Sequence, residues 1–491
     1  MALFVLAGVA LGASLGTWTD EEYTLATTAH GAWYATGHAI GYELQAPLYF
    51  ALLGAWRSLD AAVWFARAFS VLCGAGTLVA LASIGRRIAP GRPALGFALW
   101  AGLNPYAVWA ALEIRHYGLA LFLTALLWLA FDAGFLSEER PAARVAFVAL
   151  AVAGIYTQYF VGFALAGFAA SLLVAGKPRT FVAYLAASAL VIAAVVPLAL
   201  QAHGEGNWFA TEAPPLGRIV RWTLTHPWLG FVFPFDWQWD ASWIVHGAYG
   251  VAVTVIALTV VASRPHVSRK TAALIAAAAA IETVYVVLAA ALRFELYDRY
   301  FIALYVPVVA AAYALWTSVD EERPLLGRTV LAFSALLGGA VLVSQYRHDA
   351  QPGDWKRVAA YLQAHAERSD VVAVYQPDAL PALARQYAGS AKLVPYPRPL
   401  SNERYTIASV GVRSDAEALS AFATLPAARI WFVEDGECDV RAPEFGCEYV
   451  RHAIAARFDV RSLRRFYGSR VEELVPKARA NRPRSAVGTS A

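Results

Sequence analysis

Long apolar runs alternate with short charged or Pro/Gly-rich stretches over the first 344 residues of the chain. A helix needs about 20 mostly apolar residues to cross the hydrocarbon core of a bilayer. By this criterion the pattern predicts a multi-pass α-helical membrane protein with about eleven transmembrane helices. These predicted helices lie near residues 2–18, 63–85, 93–110, 117–136, 143–158, 159–176, 180–200, 243–262, 271–292, 300–317 and 325–344.

The composition excludes an ordinary soluble enzyme and divides the chain into two parts. Hydrophobic residues make up 59% of the 491 residues and charged residues 15%, whereas a soluble protein carries roughly a quarter of charged residues. There are 38 charged residues among residues 1–344 and the same number in the much shorter part 345–491. The higher proportion of charged residues in the second part is typical of a soluble domain. The net charge of +4 is too small to indicate nucleic acid, which leaves membrane lipids as the surroundings of the first part.

The basic residues of the short loops predict an orientation, because cytoplasmic loops are enriched in Lys and Arg. An N-terminus in the cytoplasm places twelve of them in five loops on that side, and an odd number of helices then places the C-terminal part outside. The first apolar run could instead be a signal peptide, but it lacks a basic n-region and is less favoured as one. The twelve residues are Arg86, Arg87, Arg92, Arg140, Arg144, Lys177, Arg179, Arg264, Arg269, Lys270, Arg323 and Arg328.

Two long segments, 19–62 and 201–242, fall on the predicted outer side. The first is rich in aromatic residues and predicts two short amphipathic helices at the membrane interface, near 21–36 and 47–59. The second is rich in Trp and Pro. It could cover a cavity or anchor helix ends, and for most of its tryptophans the anchoring role is favoured.

Residues 345–475 predict a small extracytoplasmic α/β domain, followed by a disordered tail at 476–491. Helical and strand patterns alternate here, and a terminal hairpin is predicted around Gly468. The sequence has no Gly-rich phosphate loop and no metal-ligand spacing in this part. Cys438 and Cys447 could form a disulfide in an oxidising compartment or remain two unpaired thiols. The predicted strands are 370–375, 392–396 and 429–434, and the predicted helices are 355–366, 381–388, 414–424 and 448–457.

Charged residues gather at the predicted outer ends of several helices, where they are costly unless they have partners or a function. Carboxylates and arginines at one depth suit a lipid-linked phosphate, because arginine binds phosphate and a carboxylate accepts a proton from a hydroxyl. They could equally be ion pairs that fix helix ends, and the residues alone favour neither. The group comprises Asp20, Glu21, Glu22, Arg67, Glu113, Arg115, His116, Tyr117, Arg293, Glu295, Asp298, Arg299 and Tyr300.

Several of these residues stand in motifs that resemble bacterial glycosyltransferase family 39. This family includes relatives of protein O-mannosyltransferases and of the lipid A aminoarabinose transferase, with the GT-C membrane fold, and the resemblance runs over most of residues 1–320. Two departures are that Gln45-Ala46-Pro47 replaces the more usual double proline and that His116 stands where the family is often apolar. The motifs are Asp20-Glu21-Glu22-Tyr23, Ala46-Pro47-Leu48-Tyr49, Arg67, Glu113-Ile114-Arg115-His116-Tyr117, Tyr156-Thr157-Gln158-Tyr159-Phe160 and Arg299-Tyr300 leading to Pro307.

The resemblance implies a GT-C-like enzyme of the bacterial cytoplasmic membrane that uses a polyprenyl-phosphate-linked sugar donor. Transfer would take place at the outer face with inversion, and the acceptor could be a protein, a lipid or a polysaccharide. Asp20 would be the general base or a carboxylate that positions the acceptor, with Glu21 beside it in the site. The implied donor-binding residues are Arg67, Arg115 and Arg299, oriented by Glu113 and Tyr117 and joined by Tyr300, while Tyr42 and Tyr49 would belong to a substrate loop.

Other functions and cofactors remain open at this point. A transporter or flippase of a lipid-linked glycan would use the same arginines, but the predicted spans contain few charged residues, chiefly Asp132 and Glu282, and no inverted repeat is evident. A receptor or scaffold would leave the acids and arginines unexplained. The chemistry requires no cofactor, although the adjacent carboxylates of Asp20 and Glu21 could recruit a divalent cation.

Overall fold

The computed structural model describes a helical unit followed by a smaller α/β unit. The described residues are 1–204, 215–231, 254–255, 258–262, 267–293, 296–346, 354–400, 410–425, 429–436, 438 and 445–477. The two units divide between Gln351 and Pro352. The boundary predicted after residue 344 falls two residues before the end of the last helix of the first unit, Pro324–Tyr346.

The first unit is built from helices packed against one another. Its first helices are α1 Ala2–Ser14, α2 Thr19–Thr27, α3 Gly31–His38, α4 Leu48–Arg57, α5 Val63–Ile88, α6 Ala94–Gly102, α7 Pro105–Leu112 and α8 Tyr117–Phe131. The later helices are α9 Pro141–Thr157, α10 Ala164–Ala175, α11 Pro178–Gly204, α12 Leu216–Gly230, α13 Arg269–Leu292, α14 Ile302–Glu322 and α15 Pro324–Tyr346.

Six described helices are long and apolar enough to cross a bilayer. The number rises to eight if each of two bent pairs counts as one span, α1 with α2 at 103° and α6 with α7 at 68°. The prediction of a multi-pass helical membrane protein is confirmed at this level. The predicted helix at 243–262 lies largely outside the described residues, so eleven spans remain a prediction.

Two predicted spans are interrupted. The helix predicted at 2–18 ends at Ser14, and the chain turns sharply before α2 begins at Thr19. The helix predicted at 93–110 breaks at Leu103, because the Asn104 side chain caps the next helix and Pro105 occupies its first position. Hydropathy records the apolar content of such a run but not the change of direction within it.

The aromatic segment 19–62 forms three α-helices rather than the two predicted. The helix predicted at 21–36 is broken after Thr27, and α3 restarts at Gly31 with a positive φ. The helix predicted at 47–59 is α4, which approaches the Gly31 backbone so closely that a Cβ at Gly54 would lie 3.0 Å from it. Buried Tyr49 and Phe50 on α4 then join a core that includes residues of α5 and α8. The segment is thereby fixed to the helical unit.

Part of the segment 201–242, predicted on the outer side, is helical in the structure. Residues 216–230 form α12, in which Trp222 Nε1 donates a hydrogen bond to the Leu296 carbonyl at 2.9 Å. Trp228 is also on this helix and is half exposed. Trp208, Trp237 and Trp239 lie outside the described residues.

The second unit is an α/β domain, as predicted. Its five-stranded sheet has the order β2-β1-β3-β5-β4, with β1 parallel to β2 and β3, and β5 antiparallel to β3 and β4. Every residue of β1 is buried, because helices cover the sheet's central strands. The strands are β1 Val371–Tyr375, β2 Lys392–Pro395, β3 Ile430–Asp435, β4 Phe458–Phe466 and β5 Ser469–Pro476, and the helices are α16 Trp355–His365, α17 Leu380–Gln386, α18 Asp415–Ala423 and α19 Cys447–Arg457.

The end of this domain bears on two further predictions. The predicted hairpin is formed by β4 and β5, which turn at Gly468 with a positive φ. Cys438 and Cys447 are joined in a disulfide. Of the tail predicted at 476–491, Pro476 ends β5, and residues from 478 onward lie outside the described part of the chain.

Candidate active site

Asp20 lies in the first turn of α2, immediately after the bend that ends α1. Its carboxylate Oδ2 is 3.4 Å from Arg299 Nη1 and 4.0 Å from Arg115 Nη2. The Asp20 side chain is 26% exposed, in contrast to its buried neighbour Glu21. Three predicted groups, around residues 20, 115 and 299, therefore meet at one partly open position.

Arg115 is the fixed cation of this cluster. Its Nη1 donates to Glu43 Oε2 at 3.0 Å, to Thr24 Oγ1 at 2.9 Å and to the Asp20 carbonyl at 3.3 Å. The side chain is 6% exposed. Because side-chain and backbone oxygens of the 19–62 segment hold it, Arg115 presents its second terminal nitrogen in a set direction toward Asp20.

Arg299 is held mainly by aromatic rings. Its guanidinium carbon lies 4.9 Å from the ring centroid of Tyr297, 5.6 Å from that of Tyr300 and 5.8 Å from that of Trp18. Such cation–π contacts are worth about 0.5–2 kcal/mol each. The 18% exposure of its side chain leaves Arg299 in contact with the open side of the cluster.

Gln158 and Tyr285 position the backbone of this second arginine. Gln158 Nε2 donates to the Arg299 carbonyl at 3.3 Å, and the Tyr285 hydroxyl donates to the Tyr300 carbonyl at 2.6 Å. The ring of Tyr300 packs against Phe160 at 5.0 Å between centroids. The motif around Tyr156–Phe160 thus supports the Arg299-Tyr300 motif.

Glu21 and Arg67 form a buried ion pair behind Asp20. Arg67 Nη2 lies 2.7 Å from Glu21 Oε2 and 2.8 Å from Oε1, which also accepts the Ile114 amide proton at 2.8 Å. The remaining Arg67 hydrogen bonds go to the carbonyls of Gly12, Leu15 and Gly16, at the end of α1. Both side chains are at most 1% exposed.

These contacts change the expectation for Arg67 and Glu21. Arg67 was expected to bind the donor phosphate and Glu21 to line the site beside Asp20. In the structure, the hydrogen bonds of Arg67 Nη1 and Nη2 go to backbone carbonyls and to Glu21, and only 1% of the side chain is exposed to an incoming phosphate. The pair instead fixes the bend between α1 and α2 that places Asp20.

Glu113 reaches the arginines indirectly. The Trp18 indole Nε1 donates to Glu113 Oε2 at 2.6 Å, and Trp18 is one of the rings beside Arg299. Glu113 is fully buried, and its Oε1 receives no hydrogen bond within the described residues. Tyr117, also buried, packs against Trp109 and His116 at centroid distances of 4.7 and 4.4 Å.

The two tyrosines expected in a substrate loop occupy different environments. Tyr49 is fully buried, with its hydroxyl 3.5 Å from Ser70 Oγ, so it belongs to the core and not to an open loop. Tyr42 is half-buried, between the ring of His38 at 4.7 Å and that of Tyr23 at 6.2 Å. A substrate contact remains a prediction for Tyr42.

Sequence reasoning missed Glu43, which is the counter-ion of Arg115. Besides Arg115, it accepts a hydrogen bond from the Thr27 hydroxyl. Burial raises the pKa of the Glu43 carboxyl, and Arg115 and Thr27 oppose that rise. The available signal was that Glu43 is the one acidic residue between Glu22 and Asp60 in an otherwise apolar and aromatic segment.

The contacts also bear on the cation that Asp20 and Glu21 were expected to be able to recruit. Both Glu21 oxygens face Arg67, and Asp20 faces two further arginines. Within the described residues, no group of three or more His, Cys, Asp or Glu side chains could hold a metal ion. A cation shared by Asp20 and Glu21 would have to displace arginine contacts.

Comparison with solved structures finds chains of partly similar structure. ArnT from Cupriavidus metallidurans, bound to undecaprenyl phosphate, is 13% identical with a TM-score of 0.48 over 96% of this chain and 97% of that chain. The Archaeoglobus fulgidus oligosaccharyltransferase with zinc and sulfate is 11% identical, with a TM-score of 0.43 over 89% of this chain and 68% of that chain. The same oligosaccharyltransferase tethered to an acceptor peptide is 11% identical, with a TM-score of 0.44 over 97% of this chain and 74% of that chain.

Comparisons by sequence give no match. No family model matches the chain, and no curated protein sequence matches it.

Proposed function

We propose that the protein is a membrane glycosyltransferase that moves a sugar from a polyprenyl-phosphate-linked donor to an acceptor hydroxyl. The observation that carries the proposal is the partly exposed Asp20 carboxylate with Arg115 and Arg299 within 4.0 Å. This arrangement supplies a proton acceptor and two phosphate-binding cations at one place. A bilayer-embedded unit of apolar helices provides the surroundings for a lipid-linked donor.

The reaction needs one base and a stabilised leaving group. The acceptor oxygen transfers its proton to the Asp20 carboxylate and forms a bond to the sugar's anomeric carbon. The bond between that carbon and the phosphate oxygen breaks, and the phosphate keeps the electron pair and leaves with the polyprenyl chain. Attack opposite the leaving group inverts the anomeric configuration. Arginines that bind the phosphate stabilise the charge that develops on it.

The two arginines suit different parts of this reaction. Arg115 is pre-organised by Glu43, Thr24 and the Asp20 carbonyl, so it keeps its position in the presence or absence of a donor. Arg299 rests on aromatic faces and on Asp20. Because a phosphate is a stronger partner for guanidinium than a carboxylate at 3.4 Å, donor binding draws Arg299 toward the phosphate and leaves Asp20 to the acceptor.

The proposed location follows from the loop charges. Basic residues concentrated in the loops after α5 and around Lys177, Lys270 and Arg323 support a cytoplasmic position for those ends. The Asp20 cluster then opens on the outer face of a bacterial cytoplasmic membrane, and the α/β unit is extracytoplasmic. The disulfide between Cys438 and Cys447 supports this assignment, because disulfides persist in oxidising compartments.

A transfer assay tests the proposal. The purified full-length protein in lipid is given a panel of polyprenyl-phosphate sugars labelled in the sugar, with crude membranes as a source of acceptors. We expect cleavage of one donor class by the native protein and loss of cleavage in Asp20→Asn. The matched control is Asp60→Asn, which neutralises an exposed carboxylate of the same segment.

Two results would contradict the proposal. Cleavage by Asp20→Asn at the native rate would exclude the base role of this residue. Donors that bind to the native protein and move between leaflets without any cleavage would identify a transporter of lipid-linked glycans instead.

A further inference from the structure

An apolar cavity lies between α6, α14 and α15, lined by residues that take no part in the Asp20 cluster. Its volume is about 440 Å³, which is within the range of sites that bind small molecules. The walls are mostly aromatic and aliphatic side chains. They include Phe97, Trp100, Tyr313, Trp316 and Leu331.

One end of this cavity is charged. The Arg92 guanidinium lies 5.4 Å from the ring centroid of Trp316 and forms an ion pair with Asp320. A second carboxylate, Glu321 Oε1, is 3.8 Å from Arg92 Nη2. Arg92 is 26% exposed and Glu321 70% exposed. The Arg92 guanidinium and the nearby Glu321 carboxylate are therefore open to an incoming molecule, while Asp320 stays largely buried against Arg92.

The cavity opens at the surface of the helical unit. Gly96 on α6 lines the cavity and is exposed, and a Cβ at this position would meet no heavy atom within 4 Å. Beside it, Leu95 is 66% exposed, and Leu325 at the start of α15 is 81% exposed. Both α14 and α15 are long and apolar enough to span a bilayer, so this opening lies on helices suited to contact with acyl chains.

We infer that the cavity binds one phospholipid whose head group carries a primary amine. An acyl chain fills the apolar part, the phosphate binds Arg92, and the ammonium group faces the exposed Glu321 carboxylate. An anionic head group would bring its negative charge against two carboxylates for a single guanidinium, which disfavours it. The inference is independent of the proposed sugar transfer, because it concerns other residues.

Native mass spectrometry of the full-length protein with phosphatidylethanolamine or phosphatidylglycerol of identical acyl chains tests the inference. We expect one retained phosphatidylethanolamine in the native protein and none in Gly96→Phe, whose ring fills the cavity. The control Gly339→Phe places the same ring at an exposed position of α15 with no heavy atom within 4 Å of its Cβ. Elution as a monodisperse peak shows that each variant is folded.

The head-group preference is tested separately. Glu321→Gln removes one of the two carboxylates, and we expect the preference for phosphatidylethanolamine over phosphatidylglycerol to fall by about threefold. Equal retention of lipid by Gly96→Phe and Gly339→Phe would overturn the site. Tighter binding of phosphatidylglycerol than of phosphatidylethanolamine by the native protein would overturn the assigned head group.

Discussion

Asp20 and Asp132 are each flanked by two cations, but their hydrogen bonds differ. Asp132 Oδ2 accepts from Arg87 Nη1 at 2.5 Å and Oδ1 from Ser137 Oγ at 2.7 Å, with Lys270 Nζ at 3.9 Å. Asp20 has Arg299 at 3.4 Å and Arg115 at 4.0 Å. Within the described residues, no hydrogen bond is directed at the Asp20 carboxylate.

The difference separates an ion cluster whose acid is fully hydrogen-bonded from one whose acid keeps acceptor capacity. Asp132 has both oxygens satisfied and joins the ends of α5, α8 and α13. Asp20 is surrounded by positive charge but retains acceptor capacity, so a hydroxyl or a bound phosphate can enter without breaking a short hydrogen bond. Each cluster consists of one aspartate and two basic residues, so composition alone does not distinguish the Asp20 cluster from the Asp132 cluster.

The strongest test of this comparison is the same substitution at both aspartates. Asp20→Asn should lower the transfer rate by about 10²–10⁴-fold, the usual contribution of a general base, with little change in stability. Asp132→Asn should keep the rate and lower the free energy of unfolding by about 1–3 kcal/mol, because charged hydrogen bonds are weakened. Steady-state rates and denaturant unfolding of the purified proteins measure both. Equal loss of activity in the two variants would contradict the division.

The second test addresses the buried pair behind Asp20. Glu21→Gln should lower the free energy of unfolding by about 3–5 kcal/mol, because it leaves the Arg67 cation uncompensated in a buried place. The double variant Glu21→Leu with Arg67→Met should recover part of that loss. The unfolding midpoints of the single and the double variant, compared with that of the native protein, measure both effects. An unchanged midpoint in Glu21→Gln would refute the structural role of the pair.

The third test concerns Arg299, one of the two cations beside Asp20. Arg299→Gln should raise KM for the lipid-linked donor by about 10–100-fold, the worth of one charged hydrogen bond to phosphate. Arg293→Gln, an exposed arginine at the end of α13, is the matched control and should leave KM unchanged. If both variants raise KM alike, general surface charge rather than the site is responsible.

Asp370 in the α/β unit extends the comparison to a third acid–arginine contact. Burial raises the pKa of its carboxyl, but hydrogen bonds from Arg429, the Glu367 amide and Trp431 outweigh burial and lower it below the usual range. Its contribution to stability is therefore complete above the ordinary Asp pKa and is lost as pH falls through the lower folded value.

Hydrogen exchange measures this effect in the full-length protein. Protection of β1 and β3, corrected for intrinsic exchange, should fall by about tenfold as the pH drops below about 4. Asp370→Asn should remove this dependence on pH. Protection that falls equally in the variant would assign the acid sensitivity to other groups.

The smallest expected effect concerns metal ions. Arginines supply the positive charge around Asp20, so a chelator should leave the transfer rate unchanged. The check is a rate with EDTA, followed by excess Mg²⁺. A rate that falls with EDTA and returns with Mg²⁺ would show that a cation shares the Asp20 site.

The sequence predicted which regions meet more reliably than what each residue does. Asp20, Arg115 and Arg299 converge as expected, because acids and arginines at ends of apolar runs are costly without partners. The same rule applied to Arg67, yet its partners are backbone carbonyls at the end of α1 and Glu21. Backbone partners leave no mark in a sequence, so a buried structural arginine and a phosphate-binding one have the same signature.

The hydropathy pattern also does not predict which distant residues form pairs or where the chain changes direction. Glu43 pairs with Arg115 across 72 residues, and nothing local to either residue specifies the other. The bend at Ser14–Thr19 lies in a run that is apolar almost throughout, and hydropathy is insensitive to where such a run turns. The parallel core of the α/β unit was predictable, because β1 is a continuous run of buried apolar residues bounded by polar ones.

The buried Arg67 imposes an order on the biogenesis of this protein. Its partners Gly12 and Glu21 precede it by 55 and 46 residues, so the carbonyls at the end of α1 and the Glu21 charge remain unpaired until α5 has been inserted. The turn that orients the candidate base thus forms only when a second hydrophobic segment has left the ribosome. A ribosome stalled between these segments would yield a chain that contains α1 and α2 and still lacks the Arg67 contacts that fix the turn between them.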